Sequence, residues 1–233
     1  MVMLKGKRVV ITGASSGIGL ALAKLLVAQE AEVIAMCRRK PDEVKAVHIP
    51  VDLKDASSIA RAFEQVDECD ILVNNAGIAY RSPVSEGDLS EWDDMWQVNV
   101  RALAYCSHLA LSSFPSEGGH IINISSMSGH RVPPSGGFYA ATKFAVRALS
   151  EALRLELRAK GSSIKVSSVS PGFVDTPLLD TYFRGKEKEL EKTKEEITFL
   201  TPDEIAAQVV HIMQSPPHVE IGDLSLRSAS QKV

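Results

Sequence analysis

The stretch Thr12-Gly13-Ala14-Ser15-Ser16-Gly17-Ile18-Gly19 decides the fold. Directly before it stands Arg8-Val9-Val10-Ile11, a short apolar run that reads as a buried strand. Directly after it, residues 18–29 carry apolar side chains at helical spacing. Glycines in such a turn let the backbone approach a ligand, and free N–H groups at a helix start favour negative charge. The arrangement therefore suits a pyrophosphate. The spacing is G-x-x-x-G-x-G, not the commoner G-x-G-x-x-G. Two other readings stay open: a tight turn that binds nothing, and a hydrolase nucleophile elbow, because Gly13-Ala14-Ser15-Ser16-Gly17 also fits G-x-S-x-G with Ser15 as nucleophile. Against the elbow, only one strand precedes the turn, whereas its oxyanion hole normally draws on an upstream loop. Thr12 and Gly19 also have no role in an elbow.

Outward from this turn, apolar runs of four to six residues alternate with longer helical patterns. The runs are Arg8-Val9-Val10-Ile11, Glu32-Val33-Ile34-Ala35, residues 46–50, Asp70-Ile71-Leu72-Val73, His120-Ile121-Ile122-Asn123-Ile124, residues 164–169 and a weaker one at 223–227. Helical patterns fall at 57–66, 89–113 and 138–160. That rhythm predicts βαβ units: a doubly wound, Rossmann-type α/β sandwich with a mostly parallel seven-stranded sheet and helices on both faces. A parallel crossover takes a dozen residues or more. Only residues 38–45 join the second and third runs, and Pro41 lies among them, so the usual helix there is expected to shrink to a turn. No composition shift or repeat divides the 233 residues, and 1–233 reads as one dinucleotide-binding and catalytic domain. Residues 184–196 hold five basic and five acidic side chains, either a solvated helix face or part of a substrate lid over about 177–200. Thr201-Pro202-Asp203-Glu204 carries the signals of a capped helix start, and 228–233 reads as a flexible tail.

Composition excludes several functions. Lys and Arg number 26 against 29 Asp and Glu, a net charge of −3, so there is no basic footprint for nucleic acid or an anionic membrane. The longest stretches free of charged residues are fifteen long and broken by Gly, Ser or Pro, below the length of a spanning helix. Cys37, Cys69 and Cys106 form no zinc spacing or disulfide framework, and the six His offer no His-x-x-x-His pair. No metal is expected. Reduced cysteines and an opening without a leader pattern give a cytoplasmic protein as the expectation.

Tyr139 and Lys143 stand four apart, on one face of a helix. Alone the pair means little, since Tyr182 and Lys186 repeat it. Its company separates it. Ser126 lies thirteen residues before Tyr139, just after the fifth apolar run, whereas Val169 holds the equivalent place before Tyr182. With Gly13 to Gly19, Asn74-Asn75-Ala76-Gly77, Asn99, Ser126, Tyr139-x-x-x-Lys143 and Pro171-Gly172 in this order, the chain resembles the short-chain dehydrogenase/reductase family. The likeness covers residues 6 to about 180. It implies Tyr139 as general acid/base, Lys143 on the nicotinamide ribose, Ser126 orienting the substrate oxygen, and Asn99 keeping a water-linked proton relay to Lys143. A tyrosine acting near neutrality needs its pKa lowered from about 10 by about 3, and a neighbouring ammonium with the oxidised nicotinamide ring can supply that.

The resemblance also implies cofactor contacts at Gly13, Ser15, Ser16, Gly17, Ile18, Gly19, Asp52, Leu53, Asn75, Ala76, Gly77, Tyr139, Lys143, Pro171, Gly172, Val174 and Thr176. Asn74 reads as a strand-end bracket. The second run ends Met36-Cys37-Arg38-Arg39-Lys40, without the carboxylate that would accept the adenosine ribose of NAD. Arg38 and Arg39 match phosphate geometry, so NADP is the expected cofactor and NAD the alternative. Ser128, Phe173, Leu178, Leu179, Tyr182 and Phe183 are expected to line a pocket for a lipophilic carbonyl compound or secondary alcohol. His130 either touches substrate or faces solvent from its loop. Ser126-Met127-Ser128-Gly129-His130 and Ile221-Gly222-Asp223-Leu224-Ser225-Leu226-Arg227 are similar to the branch of dehydrogenase/reductase family member eleven and insect farnesol dehydrogenases, whose members take steroid or terpenoid carbonyls. Family members form dimers or tetramers through helices corresponding to 89–113 and 138–160, so a homodimer or homotetramer is expected. An NADPH-sensing protein without turnover remains the alternative to an enzyme.

Overall fold

Val9 and Ile11 point to one side of strand β1 (Arg8–Thr12) and Val10 to the other, and both sides are covered. The computed structural model describes residues 2–133 and 136–231. Its strands β2 (Glu32–Met36), β3 (Val47–Ile49), β4 (Ile71–Asn74), β5 (His120–Ile124), β6 (Lys165–Pro171) and β7 (Asp223–Leu226) join β1 in one sheet of order β3-β2-β1-β4-β5-β6-β7. Every pairing is parallel. On one face Val9, Ile11, Ile122 and Val169 meet Leu22 and Leu26 of helix α1 (Gly17–Ala28) and Ile205 and Val209 of α8 (Pro202–Met213). On the other, Val10, Leu72 and Ile121 meet Ile59 and Phe63 of α2 (Ala56–Phe63) and Cys106 and Ala110 of α4 (Leu103–Ala110). Each fully buried aliphatic side chain contributes about 1.5–3 kcal/mol. Apolar residues on consecutive strand positions follow from this two-sided burial.

Residues 37–46 hold no helix; Val44 N donates to Pro41 O and the chain turns directly into β3. The expected capping box closes α8, with Thr201 accepting from Glu204 N and the Glu204 carboxylate accepting from Thr201 N. The run read as one helix over 89–113 differs. It divides into α3 (Leu89–Trp96), a π-helical turn (residues 97–102) and α4. The wider turn carries Asn99 inward, 1% exposed. There Asn99 Nδ2 donates to Ile78 O at 2.9 Å and to Thr142 Oγ1 at 3.1 Å, while its Oδ1 accepts from Ile78 N at 2.9 Å. Those partners hold the carboxamide where an unbroken helix would rotate it away.

Asn74 brackets the sheet as expected: its Nδ2 donates to Asn123 Oδ1 on β5 and to Ser107 Oγ on α4, both at 2.9 Å. All three cysteines are free and buried, and burial pushes the Cys69 and Cys106 thiols up to about 12. Among the described residues no helix is long and apolar enough to cross a membrane, and no group of three or more His, Cys, Asp or Glu could hold a metal ion.

Candidate active site

β1 lies between β2 and β4, so the chain reverses its direction of travel across the sheet at β1, and a crevice opens beyond the carboxyl ends of these strands. A cavity of about 870 Å³ occupies it. Gly13 there has φ +70°, and a Cβ on it would stand 2.9 Å from Ala76 Cα. Gly17 has φ +53°, and its Cβ would press on Thr176 at 3.2 Å. Both positions need glycine on conformational and steric grounds. Thr12 ties the turn to the end of β4: its Oγ1 accepts from the backbone N–H of Asn75 and of Ala76, each at 3.1 Å. Asn75 Nδ2 returns the bond to Thr12 O and Gly13 O.

Of the expected cofactor residues, all but Gly19 line this cavity. Gly19 serves packing instead; its Cβ would lie 2.4 Å from Asn75 Nδ2 and 2.5 Å from Gly13 O. At one end of the cavity Arg38 and Arg39 are exposed, and among the described residues neither guanidinium has an ion pair. Cys37, where an acid would bind an adenosine ribose, donates its thiol to Arg39 O at 3.0 Å. Asp52 and Leu53 line the same end, with Asp52 Oδ1 accepting from Lys54 N. The cradle of glycines, the helix start and the cationic end fit a dinucleotide in size and chemistry. Among the described residues no histidine lines the cavity, so Ser15 lacks the imidazole base that a nucleophile elbow uses.

Ser126, Tyr139 and Lys143 meet at the other end. Ser126 caps a 3₁₀ turn (Met127–Gly129), its Oγ accepting from Ser128 N at 3.1 Å. Tyr139 and Lys143 lie one turn apart near the start of α5 (Gly137–Ala159). The Lys143 Nζ donates to Ile124 O at 3.0 Å and stands 5.8 Å from the Tyr139 ring centre. Burial pushes the Lys143 ammonium down to about 8. Burial raises the Tyr139 phenol above its ordinary value; its hydrogen bond to Ser126 opposes the shift and Tyr182 adds to it. The lowering expected from sequence counts the oxidised nicotinamide ring beside the Lys143 ammonium; among the protein's own groups, desolvation outweighs the opposing hydrogen bond. Asn99 lies behind this end, not on the cavity wall; a Cβ on Gly77 would be 3.4 Å from Asn99 Oδ1 and 3.6 Å from Lys143 Nζ.

Ser128, Phe173, Leu178, Leu179 and Tyr182 line the cavity as expected. Tyr182 meets Tyr139 edge-on at 6.0 Å. Phe183 turns away from the cavity and packs beside Arg81 and Tyr182. His130 is off the wall too; its ring Nε2 lies 3.0 Å from Ser170 Oγ and 3.3 Å from Asp223 Oδ2.

Among the wall residues that escaped the sequence reading, Gln231 has a structural role. Gln231 is 6% exposed, lines the cavity and accepts from Phe173 N at 3.1 Å, 58 residues away. A Cβ on Gly172 would lie 2.2 Å from its Oε1. Thus 228–231, read as flexible tail, brace the loop after β6; residues 232–233 lie outside the described residues. Only a contact across such separation reveals this, and no local pattern announces it. Gln231→Leu leaves the part-buried Phe173 N–H without this acceptor and is expected to cost about 1 kcal/mol in urea denaturation. An unchanged denaturation midpoint would refute the bracing role.

Fold and cavity define a dinucleotide-binding α/β domain of the oxidoreductase kind. The family model described as short chain dehydrogenase matches residues 7–187, and the chain belongs to that family. Its members use a nicotinamide dinucleotide, act on small molecules and commonly form oligomers. The chain is 39% identical to dehydrogenase/reductase SDR family member 11 of Bos taurus, over 95% of each chain, which supports the branch expected above. Among solved structures it resembles the closed form of serine dehydrogenase complexed with NADP+ (TM-score 0.87, 30% identity, 94% of each chain). It also resembles 3-ketoacyl-(acyl-carrier-protein) reductase from Brucella melitensis complexed with NADH (TM-score 0.83, 26% identity, 97% of this chain and 99% of that one).

Proposed function

We propose that the protein is an NADP-dependent oxidoreductase that interconverts a carbonyl group and a secondary alcohol on a small, largely apolar molecule. The observation that carries this reading is the polarity of one cavity: free guanidiniums of Arg38 and Arg39 at one end, and Ser126, Tyr139 and Lys143 at the other. The cofactor supplies the hydride when bound. Backbone N–H groups at Ser15 to Ile18 hold its pyrophosphate, and Lys143 holds the ribose hydroxyls. Pro171, Gly172, Val174 and Thr176 shape the nicotinamide end. Ser126 donates to the carbonyl oxygen of the substrate and Tyr139 delivers the proton to it. Asn99 anchors the relay behind Lys143.

The segment 177–200 acts as the lid of a single 1–233 domain. Its helix α7 (Glu187–Glu196) buries no residue, and two ion pairs tie it down: the largely covered Arg81 to Glu189 at 2.5 Å and the exposed Lys194 to Asp175 at 2.8 Å. Such pairs hold with about 0–1 kcal/mol each, weak enough to open. Trp96, Phe144 and Leu155, exposed on the two helical runs the family pairs through, support a homodimer or homotetramer.

Parallel titrations with NADPH and NADH, followed by a panel of carbonyl compounds, test the reading. NADPH is expected to bind more tightly, and Arg38→Ala to weaken it about tenfold or more while leaving NADH unchanged, the scale of a charge-assisted hydrogen bond. Tighter binding of NADH would favour an NAD-dependent enzyme, as the NADH-bound relative allows. Tight binding without turnover on any carbonyl would favour a cofactor sensor.

A further inference from the structure

Among the described residues five cationic side chains line the cavity, and four have a place in the account above or beside it. Arg38, Arg39 and Lys54 stand at the adenine end, and Lys143 belongs to the reacting end. The fifth is Arg131. It follows the 3₁₀ turn that Ser126 caps, and its N–H donates to Met127 O at 3.3 Å, which keeps it one turn from the Ser126 step. Its neighbours on the wall, Met127, Val132 and Pro133, are apolar. Across the cavity the loop carrying it faces α6 (Leu178–Tyr182): a Cβ on Gly136 would lie 2.7 Å from Pro133 and 3.2 Å from the Tyr182 hydroxyl.

Arg131 is partly buried, and among the described residues it has no carboxylate partner. Among the described residues the one acidic side chain on the cavity wall, Asp52, is at the adenine end. A partly buried guanidinium on a cavity wall, without a carboxylate partner among the described residues, is open to a ligand that supplies the charge. Its planar fork matches a carboxylate with two parallel hydrogen bonds.

Resting on the oxidoreductase reading, we propose that the substrate carries a carboxylate: an oxo- or hydroxy-acid whose reacting carbon sits at Ser126 and Tyr139 and whose acid group pairs with Arg131. The apolar walls take the chain between the two groups. Hydride from NADPH goes to the carbonyl carbon, the proton of Tyr139 to its oxygen, and the carboxylate passes through unchanged.

The test compares NADPH oxidation on oxo-carboxylates of increasing chain length with oxidation on their methyl esters. The acid of the right length is expected to exceed its ester in kcat/KM by about ten- to a hundredfold, the range of a charge-assisted hydrogen bond. The preference is expected to fall with salt. Arg131→Gln is expected to erase it through KM with kcat little changed, and Arg131→Lys to restore part of it. NADPH affinity, measured by fluorescence, checks that each variant is folded. If a variant fails that check, the salt dependence of the wild-type acid-to-ester ratio decides. Esters matching or exceeding acids, or a ratio unmoved by Arg131→Gln, would overturn the proposal. If no carbonyl compound turns over, the oxidoreductase reading fails separately. Pentanoate against methyl pentanoate, as stabilisers of the NADPH complex in thermal melts, then still tests Arg131: stabilisation by the acid in wild type but not in Arg131→Gln supports the site, and its absence overturns it.

Discussion

Tyr139→Phe is expected to lower kcat for carbonyl reduction by about 10²–10⁴-fold, the contribution of a positioned general acid, with NADPH affinity unchanged. The phenol is buried at the reacting end beside Ser126, and its substitution removes one oxygen and no packing volume. Its raised pKa makes the two directions respond differently to pH. At neutral pH the hydroxyl is protonated, which suits donating to a carbonyl. Alcohol oxidation needs the phenolate instead. Rates of reduction are therefore expected to stay level across neutral pH, while rates of oxidation rise as the pH climbs. Steady-state kinetics in both directions would check this. A variant retaining turnover within tenfold of wild type would remove Tyr139 from the chemistry.

Lys143→Met is expected to end turnover and at the same time make the protein more stable at pH 7. Burial lowers the Lys143 ammonium from its ordinary 10.5 to about 8, which corresponds to a cost of about 3 kcal/mol when the side chain is charged. Losing the charge-assisted bond to Ile124 O gives back about 1.5 kcal/mol or more, so the net gain is at most about 1.5 kcal/mol, a few degrees in Tm. The sign with pH follows from proton uptake. As the pH falls from 10.5 to about 8, the unfolded chain binds a proton at this lysine and the folded chain does not, so wild type loses stability through that window. Below about 8 the loss is complete. The advantage of Lys143→Met should accordingly be full at pH 7 and fade toward pH 10. Thermal melts across that range would show it; a variant less stable at pH 7, or an advantage independent of pH, would contradict the buried-ammonium account.

Both predictions concern residues that were visible in the sequence, for a physical reason. Tyr139 and Lys143 share one helix face, and a spacing of four is a local property of the chain. Gly13 and Gly17 were equally legible, because a turn that requires positive φ restricts the residue type at the position itself. What stayed hidden depends on distance along the chain. Gln231 reaches the cavity wall by a bond to Phe173, and nothing near it in sequence marks it as different from a surface glutamine. Asn99 was named, but its placement relies on a wider helical turn that periodicity reads as one continuous helix. Phe183 sits beside Tyr182, and a bend at the end of α6 decides which of two adjacent aromatic rings faces the cavity. Arg131 was passed over because one arginine in a loop has no pattern; its meaning comes from the lack of an acidic neighbour in space.

The missing helix between β2 and β3 has a consequence for how copies of this chain can meet. The short connection leads into β3, the border strand of the sheet, only Val47 to Ile49, with Lys45 two residues before it and Pro50 just after. A border this short, flanked by a charge and by a residue with no N–H, offers almost no template for a strand of another molecule. Fibrous stacking is thereby discouraged at this end of the sheet.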